Sequence, residues 1–134
     1  MKILVFGNIL VKEDNLALKL IPLLKGEFPE IEFKEFDPTE NLEGEIEEGK
    51  LMILDVAIGI NEMKVIEDIG MLDIIKSCSM HDFDLTFNLK LFKKIGKLKK
   101  VKIIAIPMNL NEDEALNQLQ LILRKCVAQD IQGS

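Results

Sequence analysis

Two aspartates and the chain's one histidine are the residues here with the most chemistry to offer. Asp14 follows the first apolar run by several residues. Asp55 stands at the end of a second apolar run, LMILDV. His81 lies in a polar stretch, Ser77–His81, ahead of a leucine-spaced segment. An imidazole with two carboxylates suits a first-row divalent metal such as nickel, iron or zinc. Ligands drawn from three separate segments have no spacing signature of the HExxH kind, so each residue also has a plain structural reading. An acid at a helix start satisfies free N–H groups and the positive end of the dipole, which would account for Asp14. A lone loop histidine is commonly exposed or capping, which would account for His81. Asp55 is harder to explain structurally, because an acid in an apolar strand costs several kcal/mol unless it is paired or solvated.

The elements that would carry these residues follow from periodicity. Lys2–Phe6, Leu51–Val56 and Val101–Ile106 are continuous apolar runs and read as buried strands. Ile31–Phe36 alternates apolar and charged residues and reads as a strand with one wet face. Met63–Ile66 reads as a short edge strand, antiparallel to the rest. Helical spacing runs from Glu13 to Leu24, with Pro22 expected to kink or tighten it before a stop at Gly26. It returns at Leu85, Leu89 and Phe92, with Asp82 or Asp84 as the start and Gly96 as the cap. A last helix has Asn109 or Asn111 at its start and a stripe of Leu116, Leu119, Ile122, Leu123 and Cys126. Thr39–Lys50 fits a short helix or a loop equally well. Strands alternating with helices imply a single α/β domain over residues 1–134, a three-layer sandwich with a mostly parallel five-stranded sheet and one antiparallel edge strand. In such sheets ligands bind beyond the strands' C-terminal ends. That rule selects the exit of the first strand, Asp55, and the loop holding His81.

Composition removes several functions. The net charge of −6 lacks the basic field of a nonspecific nucleic-acid binder, and the LKKVK run at Leu98–Lys102 reads as a solvated strand edge. There is no GxGxxG or GxxxxGK[ST] to cradle phosphates, and no GxSxG to place a serine nucleophile. One histidine excludes a Cys₂His₂ zinc site. Cys78 and Cys126 form no framework and read as reduced thiols. The opening apolar run, broken at Gly7, is too short to export or anchor the chain, which is expected to be cytoplasmic.

The residues selected by the strand-end rule also carry a family resemblance. Gly7-Asn8-Ile9-Leu10-Val11-Lys12-Glu13-Asp14-Asn15-Leu16-Ala17, then ILDVA at Ile53–Ala57, then Ser79-Met80-His81 with Leu85 and Leu89 after it, then IIAIP at Ile103–Pro107, occur in that order. The series resembles the maturation endopeptidases of [NiFe] hydrogenases over nearly the whole chain. Glu13 stands where the family has its first Asp, Asn15 and Ala17 stand for its two glycines, and Ile58–Lys64 lacks a glycine-rich pattern.

The resemblance implies a metal-recognising, aspartate-dependent peptidase with Asp14, Asp55 and His81 as its metal triad. Asp14 or Asp55 would be the catalytic base, with Asn8, Glu13 and Ser79 in support. It implies nickel carried by the substrate, for which another divalent metal can stand in vitro, and a hydrogenase large-subunit precursor as partner, with no nucleic acid and no membrane insertion. Two other classes stay open: a non-catalytic adaptor that binds the hydrogenase subunit without cutting it, and a phosphoacceptor receiver-like domain using Asp55. The receiver reading lacks the lysine expected where the last strand ends Ala105-Ile106-Pro107.

Overall fold

Side-chain alternation on the three apolar runs builds the sheet. In the computed structural model, which describes residues 1–6, 16–36, 41–57, 60–68 and 82–132, the strands are β1 (Lys2–Phe6), β2 (Glu32–Phe36), β3 (Lys50–Ala57), β4 (Lys64–Ile66) and β5 (Lys100–Pro107). Their order in the sheet is β2-β1-β3-β5-β4. The first four strands in that order run parallel, and β4 pairs antiparallel with β5 at the edge. The fold is therefore the expected α/β sandwich, including its antiparallel edge strand. A receiver-like sheet is wholly parallel in order 2-1-3-4-5; the reversed edge strand does not fit it.

Successive residues on a strand point to opposite faces, and both faces are covered, which is why β1, β3 and β5 are apolar throughout. One face carries Leu4, Phe6, Ile53, Ala57, Ile103 and Ala105 under helix α2 (Asp82–Lys94), which contributes Leu89 and Phe92. The other carries Ile3, Val5, Leu54, Val56, Ile104 and Ile106 under α1 (Leu16–Glu27) and α3 (Glu112–Gln132). Helix α1 adds Leu20, Ile21 and Leu24, and α3 adds Ala115, Leu119 and Leu123. Arg124 reaches Glu27 at 2.5 Å and Lys19 reaches Glu112 at 3.6 Å, so the two helices lie side by side in the same direction.

The ends of the elements follow local chemistry. Asn111 caps α3 by accepting the Glu114 N–H at 2.8 Å, and Glu112, Asp113 and Glu114 meet the positive end of the dipole. Helix α2 closes with Gly96 at φ 83°: its N–H donates to the Lys93 carbonyl, and the Lys97 N–H donates to that of Phe92. This is a Schellman stop, for which glycine is suited because the left-handed turn has no Cβ to strain. Helix α1 passes through Pro22 and ends at Glu27, one residue beyond the expected stop. The undecided acidic stretch contains a short 3-10 turn, Glu43–Glu45, then a tight two-residue turn at Glu48 and Gly49, both at positive φ, that feeds β3.

Candidate functional site

Among the described residues, Asp55 is the one buried charged side chain in the core, 4% exposed. It is the sixth residue of β3, two before the strand ends, on the face covered by α2 together with Ile53 and Ala57. In the sheet it pairs with Ala105 of β5. On the other side, Val5 pairs with Leu54, so the next step of β1, Phe6, comes alongside it. Of its neighbours on this face of the sheet, Ala57 and Ala105 are small and Phe6 and Ile53 are large. Oδ1 accepts the Val56 N–H at 2.8 Å, a bond that fixes the orientation of the group within its own turn of chain. Beyond it, Phe6 and Phe36 stack with centroids 5.2 Å apart and planes at 27°, forming an aromatic wall where β1 and β2 end. Sequence reasoning missed this wall; the only trace of it is that both strands finish on phenylalanine.

Topology gathers the helix starts at the same edge. Strands β1, β2, β3 and β5 are parallel, so Phe6, Phe36, Ala57 and Pro107 finish together. The turn that follows α2 leads to Lys99 and Lys100, whose N–H groups donate to the Gly49 carbonyl at the opposite edge. A thirteen-residue helix is about 20 Å long, so Asp82, the first residue of α2, lies back toward the strand ends. Helices α1 and α3 likewise descend from the ends of β1 and β5.

Of the residues selected from the sequence, the structure thus places Asp55. Asn8, Glu13, Asp14, Ser79 and His81 lie outside the described residues, as does Cys78. In the chain, Asp14 stands two residues before Leu16 of α1, and His81 stands directly before Asp82 of α2. Among the described residues no group of three or more His, Cys, Asp or Glu side chains is arranged to hold a metal.

Two other ionisable groupings lie away from this edge. Glu45 takes Lys34 at 2.5 Å and Lys2 at 2.9 Å; the hydrogen bonds from Lys34 and then Lys2 hold its carboxyl below the usual range, against the effect of burial. Lys102, on the face of α1 and α3, approaches the Cys126 sulfur at 3.8 Å and Glu67 at 3.3 Å. Burial pushes the Cys126 thiol up despite the lysine, and the side chain is packed in the core.

The fold has known counterparts. No family model matches the chain, and no curated protein matches its sequence. Solved structures do match. A [NiFe] hydrogenase maturation protease, HybD from Thermococcus kodakarensis, is similar over 94% of this chain and 99% of its own, at 17% identity and a TM-score of 0.62. A hydrogenase 3 maturation protease matches over 89% and 86% at 18% identity and 0.57. An uncharacterised protein from Wolinella succinogenes matches over 99% and 98% with the same identity and score. The chain shares the fold of these three structures. At such identities the likeness establishes the architecture, and the expected resemblance holds at that level. Among the described residues, no helix is long and apolar enough to cross a membrane.

Proposed function

We propose that the protein is an endopeptidase that removes the C-terminal extension of a nickel-loaded [NiFe] hydrogenase large-subunit precursor. The observation that carries this reading is the buried carboxylate of Asp55 at the strand-end edge of a fold shared with two hydrogenase maturation proteases. A buried acid is costly unless a partner or a task retains it, and this edge is where α/β sheets of this kind take ligands.

In this reading Asp14, Asp55 and His81 receive the nickel that the precursor brings. Two carboxylates with one imidazole suit a first-row ion. Held there, the ion would orient the scissile peptide and polarise its carbonyl. Asp14 or Asp55 takes a proton from water. The water oxygen bonds to the carbonyl carbon, the C–N bond breaks, and the leaving amine takes up the proton. Asn8, Glu13 and Ser79 support these three residues in this reading. The hydrogen bond from the Val56 N–H holds the Asp55 carboxylate in place for either role.

The test is to mix the protein with a nickel-loaded large-subunit precursor and follow the precursor's mass. Loss of a C-terminal fragment with wild type, and no loss with His81→Ala or Asp55→Asn, is the expected result. An intact precursor that still co-elutes with the protein would replace the peptidase by the adaptor. Cleavage that survives both substitutions would sink the site assignment.

A further inference from the structure

The register of the sheet carries the row of residues that contains Asp55 on to the edge strand β4. Asp55 stands opposite Ala105 of β5, and Ala105 stands opposite Lys64 of β4. Residues paired directly across strands share a face. Ile66, two residues on from Lys64, packs in the same cluster as Ile103 and Ala105, so Lys64 also belongs to the face covered by α2. Neighbouring strands lie about 4.8 Å apart, which sets the Cα atoms of Asp55 and Lys64 about 10 Å apart with one alanine between them. Because β4 runs against β5, its first residue, Lys64, is the one nearest the strand-end edge. Asp55 is buried at that edge and Lys64 is exposed. Other lysines nearby are engaged. Lys34, on the opposite edge strand and the same face, reaches Glu45 at 2.5 Å, and Lys19 in α1 reaches Glu112 at 3.6 Å. Lys64 makes no ion pair among the described residues.

We propose that Lys64 binds a carboxylate of the substrate's C-terminal extension, about three residues from the bond that is cut, since an extended chain rises about 3.3 Å per residue. The proposal rests on the peptidase reading, in which the nickel-bearing part of the precursor sits at Asp55 and the extension leaves past the rim of the sheet. A lysine ammonium is a compact point charge on a flexible stem. The anions that a polypeptide extension offers it are carboxylates, on acidic side chains or at the chain end. Edge strands also carry lysine to block pairing with other chains, but a glutamate blunts an edge equally well. The sign of the charge therefore separates the two roles.

Steady-state cleavage of the nickel-loaded precursor tests this. Lys64→Gln should raise KM about threefold, and Lys64→Glu should raise it further. In both, kcat should stay unchanged, because the contact is the same in the ground and transition states. Lys64→Arg should remain near wild type, and added salt should raise KM for wild type more than for Lys64→Gln. The substituted side chain is exposed, and equal melting temperatures confirm that the variants fold. An unchanged KM in Lys64→Glu, or a fall in kcat alone, overturns the proposal. Replacing the acidic side chains of the extension by their amides distinguishes the two sources. If wild type and Lys64→Gln then cleave alike, the carboxylate is a side chain; if they still differ, it is the chain end. Should wild type cleave nothing, the peptidase reading fails by itself, and the same variants are titrated against fluorescein-labelled precursor. A complex weakened by Lys64→Glu keeps the contact; equal affinity, or none, removes it.

Discussion

Asp55 is a carboxylate kept out of water by its position in a strand and held by the N–H of the residue that follows it. These two facts separate its structural role from a chemical one. Asparagine keeps an oxygen that can accept the Val56 N–H; alanine leaves that buried donor without it, a penalty of about 1–3 kcal/mol. Asp55→Ala should therefore unfold at lower urea than Asp55→Asn, while precursor cleavage is lost in both. Equal stabilities would mean that the Val56 bond contributes nothing. Cleavage retained by Asp55→Asn would mean that the charge at this position is not used. Asp55 could be selected from the sequence because an acid inside LMILDV conflicts with its neighbours. The Phe6–Phe36 stack could not, since it depends on parallel pairing between β1 and β2 and on the register that aligns their last residues.

At the scale of the elements, starts and stops were legible wherever one side chain or one backbone angle decides them. Asn111 was one of two candidate caps for α3, and the structure selects it because Glu114 stands three residues on with its N–H free to donate. Asn111→Ala should lower stability by about 1 kcal/mol in urea unfolding; an unchanged midpoint would show that the acidic first turn suffices alone. Gly96 holds φ 83°, and nothing lies within 4 Å of a Cβ built there. Gly96→Ala should then cost about 1–2 kcal/mol from the left-handed backbone alone, read from the same unfolding curve. The end of α1 was less legible. Pro22 argued for a kink or a tightened last turn before Gly26, but it is exposed while Leu20, Ile21 and Leu24 are buried. Burying those three side chains outweighs the one hydrogen bond the proline forfeits. The acidic stretch before β3 could not be resolved by pattern because its 3-10 turn buries nothing.

At the scale of the whole molecule, the sheet was legible because three continuous apolar runs demand cover on both faces, and a short charged strand can only lie at an edge. The spatial order β3-β5-β4 was not, because it depends on which edge the chain returns to. The same scale governs the response to pH, through the cluster that ties β1 and β2 to the acidic turn. Hydrogen bonds from Lys34 and Lys2 hold Glu45 below its ordinary 4.5. A depressed carboxyl contributes stability that is present above its unfolded value and lost as pH falls through the folded one. The loss should therefore begin near pH 4.5 and deepen below it. Lys2 is the opposite case. Burial acts to lower it, but the hydrogen bonds to Glu45 and Glu47 prevail and raise it above 10.5. Its contribution is complete below 10.5 and is lost as pH rises through the higher folded value. Urea midpoints measured across pH should thus form a plateau with an acid and an alkaline limb. Glu45→Gln should lower the plateau and flatten the acid limb, and Lys2→Met should flatten the alkaline one. An acid limb of the same depth in Glu45→Gln would assign that limb to other carboxylates and remove this cluster from the account.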